Sequence, residues 1–435
     1  MAVYTETTKT GWGSRMGGSV KGAGVGVLLF LASFAVLFWN EGRAVKTHKA
    51  LQEGAAAVTE AAPDRVDAAL DGRLIHFTAD VETDRELQDH WFGVQVRALR
   101  MERTVEMWQW RETSTSKTTD NWGGSQTTTT EYDYEKGWSD DLIDSSRFKV
   151  PEGHRNPAQF PVAGRKIMAG KVTAGAYRVP AKWVESMGSL EPAELPSVDT
   201  PLPDEAPKGM YRTAQGLYLP ANPKPTEARD VVEIRTNRVE LTLDDGRKAW
   251  TEEIETVTNR VEAVAATSEP LEPEIGDVRV RLFVALPGVT SFVVKQEPEG
   301  RLGAWQSSNG REIRMIRDGE ASAAEMFEAA ESGNRIITWL LRAGGYLMMS
   351  IGLSMVLGPL SMLVAVAPFL KKILGIGLGV VAWTASLALS LATIGVAWLT
   401  YRPLVGVPLL AGSVALLVWL KRRGAKGDAV AAKAD

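Results

Sequence analysis

GAGVGVLLFLASFAVLFWN, residues 22–40, carries no charged side chain and lies between Lys21 and Glu41. A helix rises about 1.5 Å per residue, so this stretch spans roughly 28 Å, close to the ~30 Å hydrocarbon core of a bilayer. The run is longer than the core of a signal peptide, and Trp39 and Asn40 stand where small residues would precede cleavage. We therefore predict a membrane helix that stays attached to the chain.

Three more apolar stretches lie near the end of the chain and predict transmembrane helices over residues 343–366, 376–400 and 403–420. They are broken only by Lys371, Lys372 and Arg402. The predicted fold class is an α+β membrane protein with one N-terminal and three C-terminal transmembrane helices. A large β-rich extramembrane domain is expected between spans 1 and 2.

The distribution of basic residues predicts how the chain is oriented, because cytosolic flanks of membrane spans are rich in Lys and Arg. Basic residues precede the first span, separate the second from the third, and follow the fourth: Lys9, Arg15, Lys21, Lys371, Lys372, Lys421, Arg422, Arg423 and Lys426. We therefore expect the N-terminal segment 1–21 and the tail 421–435 in the cytosol. The domain is expected on the other side.

Between the first two spans the sequence pattern changes from helical to strand-like. Residues 41–63 predict a helical stalk that stops near Pro63, and residues 64–335 predict a β-rich extracytoplasmic domain. The expected strands cover residues 74–81, 94–101, 104–112, 132–138, 239–243, 277–286, 291–296 and 312–317. Residues 113–130, almost wholly Thr, Ser, Gly and Asn, predict a mobile hairpin tip. Residues 192–225 hold eight prolines and predict an irregular crossing rather than sheet.

The domain is expected to close with a short helix that leads into the second span. Ser322 and Glu325 have the spacing of a capping box, in which each side chain satisfies a free backbone donor of the other residue. Since the domain is attached to membrane helices at both ends, a rigid platform is favoured over a freely diffusing head.

Composition argues against several kinds of chemistry. Cysteine is absent, which excludes disulfides and thiolate metal sites, and a net charge of −4 gives no reason to expect a nucleic-acid partner. The four histidines form no metal-binding motif, and neither a nucleophile elbow nor a phosphate-binding loop occurs. We therefore predict no catalytic residue, no metal site and no cofactor.

Small residues give the most specific signal within the predicted spans. Glycines separated by four residues allow two helix backbones to approach closely, and five of them are candidates for helix packing: Gly18, Gly22, Gly26, Gly375 and Gly379. The spacing leaves open whether the packing partner is a helix of the same chain or of another copy.

Two other functions remain as alternatives. A channel or transporter component would normally carry ionisable residues inside the bilayer, and the four predicted spans contain none. An enzyme acting on lipid or envelope substrates would use a group of the outer domain, with His154 and Asp141 as the residues to test.

Several short motifs in order along the chain resemble the transmembrane protein 43 family, also called LUMA. They include NEGRA at residues 40–44, LQEG at 51–54, VEMWQW at 105–110, GHRNP at 153–157, EIGDVR at 274–279 and YRPL at 401–404. The resemblance covers most of the chain, and the Pro-rich and Thr-rich segments match least.

The resemblance implies four spans, cytosolic termini and a large domain across the membrane. Animal members of the family are similar to nuclear-envelope and endoplasmic-reticulum proteins that self-associate and bind emerin and lamins. The Ala- and Arg-rich composition looks bacterial, which implies a bacterial inner membrane with a periplasmic domain. The alternative is the endoplasmic reticulum or inner nuclear membrane with a lumenal domain.

The sequence as a whole favours a non-enzymatic membrane scaffold. Its expected partners are the lipid bilayer, further copies of the chain and unidentified membrane or envelope proteins.

Overall fold

The computed structural model describes residues 4–222, 228–242, 248–263, 272–363 and 368–401, together with six residues between 407 and 415. Its helices are α1 (Trp12–Ala57), the one-turn α2 (Ala181–Val184), α3 (Ala323–Leu363) and α4 (Pro368–Tyr401). Three helices are long and apolar enough to cross a membrane, as predicted: α1, α3 and the part of α4 from Gly377 to Tyr401. The fourth predicted span, 403–420, and the tail 421–435 lie almost entirely outside the described residues.

The strands between and before these helices are short, with a few long exceptions. In chain order they are β1 (Tyr4–Thr10), β2 (Thr59–Glu60), β3 (Leu74–Thr83), β4 (Leu87–Asp89), β5 (Val94–Val96), β6 (Arg100–Asp120), β7 (Gln126–Ser139), β8 (Arg165–Met168), β9 (Val172–Ala174), β10 (Tyr177–Val179), β11 (Glu191–Pro192), β12 (Tyr211–Thr213), β13 (Gly216–Leu219), β14 (Ala228–Thr242), β15 (Lys248–Ala263), β16 (Val278–Ala285), β17 (Val289–Glu297), β18 (Arg301–Gly303), β19 (Trp305–Gln306), β20 (Glu312–Ile313) and β21 (Met315–Asp318).

Most of these strands belong to two sheets. The first follows the order β1-β7-β6-β16-β13-β12, with β8 on β6 and β11 on β16, and the second follows β2-β3-β9-β10-β18-β17-β21. In β16 the alternation seen in the sequence decides the faces: Val278, Val280 and Leu282 are buried, whereas Arg279 and Arg281 are only partly buried. The first sheet therefore buries one apolar face along β16, as a period of two residues requires. In the second sheet both faces of β3 and β17 are largely buried, since Phe77 and Phe292 lie in one cluster and Leu74 and Val293 in another.

Each sheet has its own hydrophobic core. Phe77, Tyr177 and Phe292 stack in the core of the second sheet, with ring centroids 4.3 and 5.0 Å apart. The core of the first sheet is built around Phe92 and Met107. The β-rich domain is thus a folded body between α1 and α3 with its own core, as the sequence predicts.

The predicted first span and stalk form one uninterrupted helix. α1 contains no proline and ends at Ala57, six residues before Pro63, because Val58 is extended and the chain enters β2 immediately afterwards. The helix covers residues 41–57 of the predicted stalk 41–63 and ends before its predicted limit. The sequence predicts the stop at Pro63, whereas pairing of β2 with β3 ends the helix first.

A second continuous helix joins the end of the domain to the membrane. The capping box is confirmed, because Ser322 N–H donates to Glu325 at 2.9 Å and Glu325 N–H donates to the Ser322 hydroxyl at 3.3 Å. The Ser322 N–H and the Ser322 hydroxyl both donate to the Glu325 carboxylate at 2.9 Å, and these two bonds lower the pKa of Glu325. From this cap, α3 runs to Leu363 with Pro359 inside it, so the expected short helix and second span are one element.

Part of the Pro-rich segment is sheet, which the sequence analysis did not expect. Residues 192–210 are largely irregular, but β12 and β13 form a hairpin within 192–225, and β13 pairs with β16. Its prolines flank the hairpin rather than interrupt it, and this is why a proline count misses these strands.

The domain packs against the far end of α1 and the beginning of α3. Ala50 and Leu51 of α1 share a buried cluster with Ile313 and Phe327. Gly54 has no room for a side chain, because an added Cβ would lie 2.5 Å from Ile313 Cδ1. This packing fixes the domain to both membrane helices.

A long polar arm extends from the first sheet. Beyond Met107, where its pairing with β16 ends, β6 continues beside β7 to Asp120, and β7 pairs in turn with β1. We define the arm as β1 with residues 112–120 and 126–134. The hairpin expected at residues 113–130 is therefore present, but most of it is strand and only residues 121–125 form the turn.

The arm reaches the opposite end of the helix bundle. Arg15 donates to Asp120 at 2.8 Å and to the Gly124 carbonyl at 2.6 Å, and Trp12 Nε1 donates to the Met362 carbonyl near the end of α3 at 3.0 Å. Arg15 precedes Glu41 by 26 residues, or about 39 Å of helix, which exceeds the thickness of a ~30 Å hydrocarbon core.

This contact conflicts with the expected separation of segment 1–21 and the domain 64–335 by the bilayer. Tyr4–Thr10 is a strand of the domain's own sheet. The predicted orientation and this pairing are compatible only if the arm passes through the depth of the membrane. The basic residues beside each span report only on their own neighbourhood. They do not predict the arm, because the arm forms by backbone pairing between distant segments.

A disulfide test follows from the register of the arm and from the absence of native cysteine. Thr7 and Thr129 lie directly opposite each other, so the T7C/T129C variant should form an intrachain disulfide in native membranes. The measurement is the mobility shift on non-reducing gels after mild oxidation.

The matched control is T118C/T128C, a pair of threonines within the hairpin whose hydroxyl oxygens lie 3.3 Å apart. This pair should oxidise whether or not β1 is docked. A disulfide in the control together with none in T7C/T129C would show that the N-terminal strand does not join the arm in the membrane.

Candidate functional site at the membrane exit of the helices

A buried ion pair connects α1 and α3 where both leave the apolar region on the side of the domain. Glu41 follows the first apolar stretch and Arg342 precedes the second, and antiparallel packing places them opposite each other. Arg342 donates from Nε and Nη2 to the two carboxylate oxygens of Glu41, at 2.6 and 2.8 Å. Only 1% of Glu41 is exposed, so this bidentate pair is shielded from water.

Helix α4 completes the surroundings of this carboxylate. The indole N–H of Trp398 donates to Glu41 Oε2, and the Arg342 guanidinium lies 5.5 Å from the Trp398 ring and 4.8 Å from the Trp339 ring. The pair therefore holds three helices together and places two tryptophans beside a cation.

A second layer of hydrogen bonds lies beside the ion pair. Arg43 donates to Asn334 Oδ1 at 3.1 Å and to Thr338 Oγ1 at 3.0 Å, while Asn40 donates to the Thr338 carbonyl at 3.1 Å. Asn334 in turn donates to the Ala44 carbonyl at 3.1 Å. These bonds fix the rotation of α1 relative to α3 and satisfy polar groups at the edge of the hydrocarbon.

A cleft of about 320 Å³ opens beside these groups. Its lining combines carboxylates, cations and tryptophan rings contributed by three helices: Glu41, Ala44, Val45, His48, Glu331, Asn334, Arg335, Thr338, Trp339, Arg342 and Trp398. A concave polar site at the level of the membrane interface is a candidate for binding a small polar group.

The glycines predicted for helix packing have different surroundings. A Cβ on Gly26 would lie 2.7 Å from the Gly352 carbonyl of α3, so this glycine packs within the chain. A Cβ on Gly22 would have Met355 Cε as its nearest atom, at 3.8 Å, and a Cβ on Gly18 or Gly379 would meet none of the described residues within 4 Å. The side-chain surroundings of Gly375 lie outside the described structure, and association between copies remains a prediction.

The spacing of four residues does not reveal the two glycines of α3 that pack against α1. A Cβ on Gly352 would lie 2.7 Å from Phe30 N, and one on Gly345 would lie 2.6 Å from Leu37 Cδ2. Gly345 and Gly352 are seven residues apart and therefore share one face of α3. Searching for glycines at intervals of seven as well as four would have found this face.

The residues considered for enzymatic roles serve packing and turns. His154 stacks on Tyr134 at 3.9 Å between ring centroids, with the Trp110 ring edge-on at 4.7 Å. Asp141 has its backbone groups bonded to Ser139 and Gln109. Burial and a hydrogen bond to Glu112 raise the pKa of Tyr134 to about 12. Within the described part of the chain, no three His, Asp or Glu side chains come together as a metal-binding group.

Long apolar helices with a β-rich domain between them place this chain in the class of integral membrane proteins. A family model described as Transmembrane protein 43 matches residues 107–403, and this chain belongs to the transmembrane protein 43 family. The resemblance inferred from the short motifs is thereby confirmed.

Relatives of this family match the chain over nearly all its length. Transmembrane protein 43 of Rattus norvegicus is 29% identical, covering 95% of this chain and 92% of the relative. The Homo sapiens protein is 28% identical over 93% and 90%, and the Transmembrane protein 43 homolog of Drosophila melanogaster is 26% identical over 97% and 98%. No solved structure matches the chain.

Removing one partner of the buried ion pair should destabilise the helix bundle. In Glu41→Gln the Arg342 guanidinium loses its counter-charge at a site with little water, which typically costs about 3–5 kcal/mol. The double variant Glu41→Gln/Arg342→Gln should lose less stability than the two single variants added together. The measurement is thermal unfolding of purified protein in detergent.

Glu185→Gln is the control, because Glu185 pairs with Lys166 at 2.6 Å on the exposed surface and its loss should change the unfolding temperature little. Equal shifts for Glu41→Gln and Glu185→Gln would mean that the Glu41 pair does not hold the bundle.

Proposed function

We propose that this chain is a non-enzymatic integral membrane scaffold that self-associates and organises protein and lipid assemblies in its membrane. The observation that supports self-association most directly is the arm. Residues 113–119 are exposed, as are most positions of β1, and nearly all carry polar side chains.

Polar strands at membrane depth need surroundings other than lipid. Hydrocarbon offers no partner to the free backbone groups at a strand edge, so irregular or edge strands occur there only inside protein or beside water. Within the described part of the chain, the hydrogen bonds between arm and bundle lie near the tip of the arm, at Arg15, with Trp12 packed beside Gly124. Further copies of the chain would supply the missing protein surface, which favours an oligomer.

Two small-residue surfaces of the bundle are not covered by any other described residue. An added Cβ on Gly18 of α1 or on Gly379 of α4 meets no described atom within 4 Å, and Val380 and Val381 beside Gly379 are 61% and 59% exposed. Backbones of neighbouring chains can approach closely at such positions. Gly26 cannot serve this purpose, since α3 already covers it.

A channel component is the second candidate, and the arm is again the observation that favours it. If several copies enclosed their arms, polar side chains would line a wet passage through the bilayer. Ion flux through liposomes that contain the purified protein distinguishes this function from a scaffold without a pore.

For location, we propose that the domain lies outside the cytosol and the tail 421–435 inside it. The basic flanks support this orientation. A bacterial inner membrane, favoured by composition, and the endoplasmic reticulum or inner nuclear membrane both accommodate it. Unidentified membrane or envelope proteins are the expected partners beyond further copies of the chain.

Substituting the open glycines tests self-association. Gly18→Leu and Gly379→Leu should reduce crosslinked oligomers in native membranes severalfold, because a bulky side chain blocks close approach between copies. Both variants should keep the thermal stability of the monomer, since neither glycine faces another part of the described chain.

Gly26→Leu serves as the contrasting variant, because its side chain would collide with Gly352 and should lower the unfolding temperature. A fully monomeric wild-type protein in native membranes would overturn the self-association proposal. Unchanged oligomers in both Gly18→Leu and Gly379→Leu would remove these two surfaces from it.

A further inference from the structure

Three side chains stand one turn apart on the face of α3 that borders the cleft. Glu331, Arg335 and Trp339 are spaced by four residues and therefore lie above one another, about 6 Å apart along the helix axis. The helix runs from the domain towards the bilayer, so Glu331 is outermost and Trp339 is nearest to the apolar stretch that begins at residue 343.

The two charged members of this row are available to a ligand. Arg335 is exposed, and the hydrogen bond described for its guanidinium is one to Ser332 Oγ at 3.3 Å. The side chain of Glu331 is 39% exposed and approaches His48 Nδ1 at 3.3 Å. No ion pair joins Glu331 to Arg335 in the described structure, although their spacing would allow one. Trp339 is 63% exposed.

We propose that this face binds the zwitterionic headgroup of a phospholipid. In a bilayer the phosphate lies above the glycerol that carries the acyl chains, and the ammonium group lies beside the phosphate or slightly further out, so it can reach a carboxylate above the phosphate site. The row on α3 presents the complementary groups in the same order: a carboxylate, a guanidinium and an indole ring at the interface.

The charge of the cleft favours a zwitterion over an anionic lipid. The lining contains two carboxylates and two guanidinium groups, and one of each, Glu41 and Arg342, neutralises the other. With His48, which contacts Glu331, counted as neutral at pH 7, Arg335 and Glu331 then remain as one positive and one negative group. A purely anionic headgroup would meet repulsion from Glu331, whereas an ammonium group gains a partner.

The position of the cleft also favours a lipid over a soluble molecule. The ion pair and both tryptophans place its floor at the edge of the hydrocarbon, where acyl chains can run along the exposed apolar side chains Leu340 and Leu347. A free phosphoethanolamine molecule would share the polar contacts but lack these apolar ones.

Native mass spectrometry of the full-length protein released from detergent tests this inference. The probes are dioleoyl phosphatidylethanolamine and dioleoyl phosphatidylglycerol, added at equal concentrations. The wild type should retain the phosphatidylethanolamine in preference. Arg335→Gln should lower retention roughly tenfold by removing the charged donor to phosphate, and Glu331→Gln should shift the preference towards phosphatidylglycerol.

Arg178→Gln, at an exposed arginine of β10 in the domain, is the matched control and should leave lipid retention unchanged. The proposal would be overturned if the wild type retained both lipids equally and neither Glu331→Gln nor Arg335→Gln changed this retention. Displacement of the lipid by millimolar free phosphoethanolamine would assign the site to a soluble ligand instead. The inference rests on the proposed membrane-organising role, and the same spectra report the oligomeric state separately from lipid retention.

Discussion

Close antiparallel packing of α1 and α3 is the constraint on which the rest of the structure depends. Gly26 and Gly352 bring the two backbones together in the middle of the apolar region, and Leu37 fills the space left by Gly345. Because the domain begins where α1 ends and finishes where α3 begins, this pair decides where both of its attachments lie. The glycines allow the close van der Waals packing that helps to hold helices together in lipid.

The polar groups at the two ends of the pair follow from the same packing. At the end near the domain, Glu41 meets Arg342 and turns what would be an isolated buried charge into a bidentate contact. At the other end, Trp12 of α1 donates to the Met362 carbonyl of α3 at 3.0 Å, and Arg15 binds the tip of the arm. A helix pair held at both ends by polar contacts has a fixed rotation. This rotation keeps the row that starts at Glu331 facing the lipid interface.

How much the sequence predicts depends on whether a feature is local. Apolar stretches define the helices by their composition, the alternation around Val280 defines a strand, and Ser322 with Glu325 defines a helix start, because each signal lies within a few residues. The partner of Glu41 is 301 residues away, and the arm joins β1 to strands more than 100 residues later. No local pattern encodes such contacts, and the hairpin within the Pro-rich segment is likewise fixed by its pairing with β16.

A single disulfide tests the continuous α1–α3 pair most directly. An added Cβ at Gly358 would lie 3.0 Å from the hydroxyl oxygen of Ser19, close to the roughly 3 Å that separates a Cβ from its partner's sulfur in a disulfide. In a chain without cysteine, S19C/G358C should therefore oxidise within one molecule in native membranes. Complete absence of the intrachain disulfide under conditions that oxidise T118C/T128C would contradict the account.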